Sequence, residues 1–209
     1  MKKHLLLGVA FLAVIGTIAL AQQPGVNSTL NAVFAVPIDN KAPTFGAGIR
    51  GLVAASAATD IYTICGSATR IIRVSTVYVA GRATSAASVD VSIVLRSTAN
   101  VGGTATVVSI QKYDSTYANA TASASVYTVN PTIGTPVGAT GAMLATKQLF
   151  LGNLTTGQPG EAAQWTFGNR PSSQLVLRGV AQCMSINLNA QTASGNLMEM
   201  AVEWTENPN

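Results

Sequence analysis

Hydrophobic and polar residues alternate along most of the chain with a period of two, the pattern of strands that bury one face. The clearest example spans residues 88–97. Its inner face is predicted to carry Val89, Val91, Ile93 and Leu95, and its outer face Asp90, Ser92 and Arg96. The last predicted strand, residues 197–205, turns Met198, Met200, Val202 and Trp204 inward and Glu199, Glu203 and Thr205 outward.

Similar short runs rich in Val, Ile and Thr recur along the chain, separated by Gly, Asn, Ser or Pro. They predict strands over residues 51–55, 60–65, 70–80, 104–111, 148–152, 163–167, 174–178 and 182–189. Trp165 lies in one of these strands and Trp204 in the last, so both are expected in the core. Many short strands with frequent turn signals predict an all-β fold, an antiparallel β-sandwich or jelly-roll-like single domain.

The longest region without a firm strand pattern covers residues 113–146. Its Ala-rich first part, residues 113–126, fits either a short helix or a loop, because Ala favours helix whereas Thr, Ser and Asn compete with it. Long loops often carry function. Tyr113, Tyr117 and Tyr127 are therefore the candidate contact residues, and a merely solvated loop is the alternative.

The N-terminus has the order of a secretory signal peptide. A basic start at Lys2 and Lys3 precedes an apolar run and the pair Ala19 and Ala21, which predicts cleavage after Ala21. A retained membrane anchor is the alternative. The predicted organisation is a signal peptide or anchor over residues 1–21, an extended arm or linker over 22–48, and the β-sandwich over 49–209.

Two cysteines, Cys65 and Cys183, lie in predicted strands far apart in sequence. If the chain is exported, they enter an oxidising compartment where one disulfide could form. Two unpaired, partly buried thiols are the alternative.

Composition and charge exclude several classes of protein. Charged residues make up only 10% of the chain and hydrophobic residues 48%, which is not the composition of a disordered segment. The formal net charge is +4, but Lys2 and Lys3 contribute two of those charges, and the arginines are scattered singly. Nucleic acid is therefore not an expected partner.

The residues of common catalytic sites are missing. The single histidine is His4, within the leader, which removes the usual general base and the commonest transition-metal ligand from the body. Asp90, Glu199 and Glu203 are predicted on outer strand faces and Glu206 in the tail, so no carboxylate pair indicates catalysis. No metal or cofactor motif occurs. We therefore expect a protein that is not an enzyme and uses no cofactor.

Four segments of the body resemble small β-rich proteins encoded among the virion structural genes of tailed bacteriophages and prophages. They are residues 59–70 (TDIYTICGSATR), 96–104 (RSTANVGGT), 127–134 (YTVNPTIG) and 203–206 (EWTE). The resemblance implies a capsid decoration or tail-associated protein that self-assembles symmetrically, with other virion proteins as partners. A trimer or another ring is the expected oligomer, and no functional residues carry over.

A second hypothesis follows from the leader. An exported chain would be periplasmic, extracellular or on the cell surface, and would suit an adhesin-like or carbohydrate-binding β-sandwich. The sequence thus leaves two locations open, the virion and an exported site, with membrane contact only if the leader is retained.

Overall fold

The structure is a computed structural model that describes residues 26–27, 32–33, 42–169, 173–191 and 195–208. Two compact units are present, Met1–Lys41 and Ala42–Asn209. In the first, β1 (Val26–Asn27) pairs antiparallel with β2 (Ala32–Val33). The predicted leader, residues 1–21, lies outside the described residues, as does most of the predicted arm.

The second unit is built from strands, since β-branched side chains pack well on a pleated surface. They are β3 (Thr44–Leu52), β4 (Ala58–Cys65), β5 (Arg70–Ala83), β6 (Ala87–Arg96), β7 (Thr104–Val107), β8 (Ile110–Lys112), β9 (Ser123–Val129), β10 (Ala145–Asn153), β11 (Ala162–Thr166), β12 (Leu175–Leu177), β13 (Cys183–Gln191) and β14 (Leu197–Pro208). No α-helix occurs among the described residues. The prediction of an all-β fold is confirmed.

These strands form one curled, mixed sheet in the order β7-β9-β4-β13-β6-β10-β5-β14-β3-β8, with β11 and β12 also paired to β5. The β10–β5 contact is parallel and short, with Gly152 opposite Arg82 and Asn153 opposite Ala83. This narrow junction separates a β4 half (β4, β6, β7, β9, β10 and β13) from a β14 half (β3, β5, β8, β11, β12 and β14). Residues 108–109 link β7 to β8, so the chain also crosses between the halves at their far edges.

One hydrophobic core lies between the inner faces of the two halves. Phe45 and Trp204 of the β14 half stack with their ring centroids 6.0 Å apart, and both are buried. Tyr62 of the β4 half donates a hydrogen bond across the core to the Ala47 carbonyl oxygen at 3.2 Å. Two halves packed on a shared core are consistent with the predicted sandwich class.

Three strand predictions differ from the structure. The strand predicted over residues 51–55 instead covers Thr44–Leu52 (β3), so residues 44–48 belong to it and not to the arm. Gly46 lies between β14 and β8, and Gly48 lies opposite Ala201 of β14. The predicted strand over 104–111 divides into β7 and β8, because the chain turns a corner at the buried Val108. Finally, β9 occupies part of the region predicted as helix or loop, since Ala124 and Val126 alternate into the core despite the weak strand propensity of their neighbours.

Candidate functional site

The outer face of the β14 half carries a patch of small and polar residues. In the strand register, Gly46 of β3 lies opposite Glu203 of β14, which lies opposite Thr76 of β5. The next outward-facing row consists of Gly48, Ala201 and Tyr78. Because glycine and alanine project so little above the sheet, the centre of this face is low. We call it the open face.

Tyr113 forms one wall of the open face. Its ring lies over Gly46, where an added Cβ would be 3.4 Å from Tyr113 Cε2, so glycine leaves the room that the ring occupies. The Tyr113 hydroxyl donates to Glu203 Oε2 at 2.7 Å, and Ser75 Oγ donates to Glu203 Oε1 at 3.1 Å. The hydrogen bond to this carboxylate raises the pKa of the Tyr113 hydroxyl, with a smaller contribution from burial. Glu203 thus holds an otherwise exposed ring in place.

Tyr78 stands on β5, and the low floor separates it from Tyr113. The cleft between them has a volume of about 440 Å³. Its lining includes Gly46, Gly48, Ala201, Gln111, Lys112 and Glu203. The floor strand β14 is hydrogen-bonded to β3 on one side and β5 on the other, so its backbone groups are already paired.

Two further depressions, of about 300 and 290 Å³, also touch Tyr78 and extend the cleft along the sheet. Glu199 lines both and accepts ion pairs from Arg50 Nε at 3.6 Å and Arg82 Nη2 at 3.3 Å. These pairs are exposed, so they contribute little stability. They do balance charge in the groove that the cleft and the two depressions form together. Aromatic, small and polar residues all line this groove.

The outer face of the β4 half is different, because it holds a buried ionic cluster. Asp60 accepts two hydrogen bonds from Arg96, at 2.7 and 3.1 Å, and both residues are almost fully buried. Asn187 and Asn100 donate to the same carboxylate at 2.5 and 3.0 Å. A buried ion pair is tolerated only with such complete hydrogen bonding. The predicted outward positions of Ser92 and Arg96 are correct as to strand face but wrong as to solvent exposure, since both side chains are buried.

A bulge in β4 explains how Asp60 reaches this face. The register shifts between the pairs Tyr62–Ile186 and Asp60–Asn187, which leaves Ile61 as an extra residue. Ile61 and Tyr62 both belong to the core, and Asp60 is turned outward.

Residues 130–144 cover the cluster. Gly134 N donates to Asn100 Oδ1 at 2.8 Å, and backbone hydrogen bonds join Val137 N to Leu95 O at 2.9 Å and Leu144 N to Ile93 O at 2.8 Å. This segment is therefore fixed to β6 and is no free loop. A cavity of about 280 Å³ remains beneath it, lined in part by Met143 and Asn187. We call this side of the molecule the covered face.

The three candidate contact tyrosines are not brought together. Tyr113 lines the open face, as described above. Tyr117 is half-buried, and its carbonyl oxygen accepts a hydrogen bond from Lys112 Nζ at 2.9 Å. Tyr127 is buried in the covered face, where burial raises the pKa of its hydroxyl and hydrogen bonds with Asn100 and Thr63 partly offset the rise. Tyr127 is thus wrongly predicted as a contact residue, because β9 turns it toward the Asp60 cluster.

Cys65 and Cys183 form a disulfide in the structure. They lie directly opposite each other on β4 and β13, with their Cα atoms 4.0 Å apart. The bond closes a sequence separation of 118 residues and lies beside the hydrogen-bonded pair Thr63 and Ser185 on the covered face.

Glu206, which the sequence places in the tail, is buried in β14. Its carboxylate accepts hydrogen bonds from Thr121 N, Thr121 Oγ1, Ala122 N and Trp204 Nε1, at 2.7 to 3.1 Å. The side chain therefore ties the start of β9 to the end of β14.

The β7 strand is an exposed edge. Every residue of β7 is exposed, and within the described chain it pairs only with β9. Val107 is 79% exposed and Val129, on the neighbouring strand, 54%. The segment from Val101 to Ile110 contains no charged residue and no proline. Charged residues such as Lys, and Pro, are the usual protection of an edge against pairing with another chain, and β7 has neither. Its register with β9 shifts once, between Thr104 and Ala105, at the start of the strand.

Most residues of the open face were not singled out by sequence reasoning. The sequence pattern assigns Gly46 and Gly48 to the arm or linker, and Tyr78 is not among the contact residues that it predicts. The one available signal was the alternation in β14, which correctly placed Glu199 and Glu203 outside. Within the described ranges no group of three or more His, Cys, Asp and Glu residues is arranged to hold a metal ion.

Among the described residues there is no helix long and apolar enough to cross a membrane. No protein-family model matches the chain, and the comparisons with curated proteins and with solved structures found no match.

Proposed function

We propose that the protein is a non-enzymatic structural protein that works by symmetric self-assembly, as a capsid decoration or tail-associated component of a phage virion. The exposed, uncharged edge of β7 is the observation that carries the proposal, together with the resemblance of four sequence segments. A free edge offers backbone donors and acceptors that a strand of a second copy can pair with.

The edges available also suit a ring. Pairing of β7 with β7 of a second copy would give a two-fold dimer, whereas a ring needs two different surfaces that meet head to tail. Within the described residues β12 pairs only with β5 and supplies such a second edge. A trimer built from these two edges is the assembly that we expect, with low surface charge limiting repulsion between subunits.

Light scattering during size-exclusion chromatography of the whole chain tests the assembly. We expect a mass three times that of one chain, and a monomer for Thr106→Lys, which adds a charge to the exposed edge. Gln148→Lys adds the same charge to an exposed position of β10 and is expected to remain a trimer. A monomeric parent protein, or a Thr106→Lys variant that still assembles, contradicts the proposal.

Mass spectrometry of purified phage particles from an induced culture tests the location. The chain should be present in the particles at a fixed stoichiometry to the major capsid protein. Its recovery only from the periplasm or medium, with a mature N-terminus at Gln22, would instead favour the exported binding module.

A further inference from the structure

The open face has the features of a binding site that self-assembly does not require. We infer that it binds a linear, uncharged oligosaccharide along the groove from Tyr113 past Tyr78 toward Glu199. This inference stands apart from the proposed assembly, because the residues that line the groove belong to neither β7 nor β12, the two edges of that assembly.

The aromatic residues indicate the ligand class first. Tyr78 is 37% exposed and Tyr113 67% exposed, and both border the 440 Å³ cleft. Exposed tyrosine rings present an apolar surface with a polar tip. The C–H faces of a sugar ring complement that surface, and its hydroxyl groups complement the tip.

The polar groups around the rings fit hydroxyl recognition. Glu203 accepts hydrogen bonds, Lys112 donates them and Gln111 does both, and all three line the cleft. In the strand register, Gly46 and Tyr78 are two strand spacings apart across the sheet and two residues apart along it, or roughly 12 Å. Two rings of one oligosaccharide chain, with another ring between them, can therefore contact the two tyrosines across the Gly48 and Ala201 floor.

The charge of the groove argues against an anionic polymer. Lys112, Arg50 and Arg82 are its cations. Glu203 and Glu199 line it as carboxylates, and Glu161 lines the last depression. Glu199 already pairs with both arginines. A face on which charges of the two signs balance favours an uncharged ligand.

The sheet geometry argues against a peptide. An extended peptide is usually bound through the unpaired backbone of an edge strand. The floor strand β14 is paired on both sides, so only side chains are available for binding. The groove is also open along its length, and three depressions in series suit a chain better than a single sugar.

Isothermal titration of the whole protein with maltohexaose, cellohexaose, mannohexaose and chitohexaose tests the inference. We expect at least one of them to bind with a dissociation constant between about 10 μM and 1 mM. Tyr78→Ala and Tyr113→Ala should each weaken that binding by about tenfold or more. Tyr117→Ala removes a nearby tyrosine that does not line the groove, and should bind like the parent.

A second variant keeps both tyrosines and blocks the floor. Ala201 is exposed, so Ala201→Leu should leave the fold intact and abolish binding. Absence of binding by all four hexasaccharides at about 2 mM overturns the inference. Equal affinity of the parent protein and Ala201→Leu for the oligosaccharide would also overturn it, as would a preference for a hyaluronan oligosaccharide over the uncharged ones. A change of oligomeric mass in Ala201→Leu would overturn it as well, because the groove would then be a contact between subunits.

Discussion

The two outer faces of the sheet are built from similar strands but are completed in opposite ways. On the covered face, Asp60 and Arg96 are buried together and residues 130–144 are fastened over them. On the open face, Glu199 pairs with arginines that remain exposed, and the centre of the face is reduced to glycine and alanine.

This difference suggests that the covered face contributes mainly to the stability of the fold and the open face mainly to ligand binding. On the covered face, the polar groups around Asp60 are hydrogen-bonded to one another, so the loss of any of them leaves the others with fewer partners. The open face leaves Gln111, Lys112 and Tyr78 available to a ligand, and their replacement should cost the fold little. The predictions below test whether the two faces respond in this unequal way.

The largest effect is expected from the buried ion pair. Arg96→Met leaves the Asp60 carboxylate buried without its cation, and we expect the free energy of unfolding to fall by about 3–5 kcal/mol. Guanidinium titration followed by tryptophan fluorescence measures it. The matched control on the open face is Arg82→Met, which removes an exposed partner of Glu199 and should cost less than about 1 kcal/mol. Equal losses in the two variants would mean that the faces do not differ.

Removal of the disulfide should rank next. The double variant Cys65→Ala, Cys183→Ala opens a link across 118 residues, and we expect a loss of about 2–4 kcal/mol, since the cross-link restricts the unfolded chain. Reductant should lower the stability of the parent to a similar level and leave the double variant unchanged. A parent protein whose stability is insensitive to complete reduction would argue against a stabilising role for this bond.

One strand from each half, β6 and β14, shows what sequence patterns can predict. Alternation in β6 and β14 correctly assigned Val89, Val91, Met198 and Met200 to the inner face. It could not predict that Ser92 and Arg96 are buried as well, because a period of two defines which face a residue is on and not what covers that face. The cover comes from residues 130–144, which are distant in sequence and lack any strand pattern.

The open face could not be predicted from the sequence for a different reason. Glycines such as Gly46 and Gly48 ordinarily indicate flexible backbone, and here they form a flat strand whose lack of side chains is what creates the cleft. Tyr113 was predicted as a contact residue, but its partner Glu203 comes from the far end of the chain. Only the folded register brings the two within hydrogen-bonding distance.

Alkaline pH should destabilise the protein through the buried tyrosine of the core, Tyr62. Burial raises the pKa of Tyr62, so the folded state keeps a proton that the unfolded chain loses above its ordinary pKa of 10.0. The contribution of this group to stability is therefore complete below pH 10 and falls above it, by about 1.4 kcal/mol for each pH unit. Urea titrations at a series of pH values measure this slope. Tyr62→Phe should be less stable at neutral pH, having lost its bond to Ala47, but should show a shallower decline; an unchanged slope would assign the effect to another group.

The smallest effect should come from removing one hydroxyl on each face. Tyr113→Phe breaks the exposed bond to Glu203, and water can replace that bond, so the free energy of unfolding should change by less than about 0.5 kcal/mol. The same substitution at the buried Tyr127 leaves Asn100 and Thr63 with fewer partners and should cost about 1–2 kcal/mol. The two variants delete the same atom, so paired thermal and urea unfolding compares the faces directly. A Tyr113→Phe loss as large as that of Tyr127→Phe would mean that the open face is part of the folding core, and its tyrosine would then be held for stability instead of for a ligand.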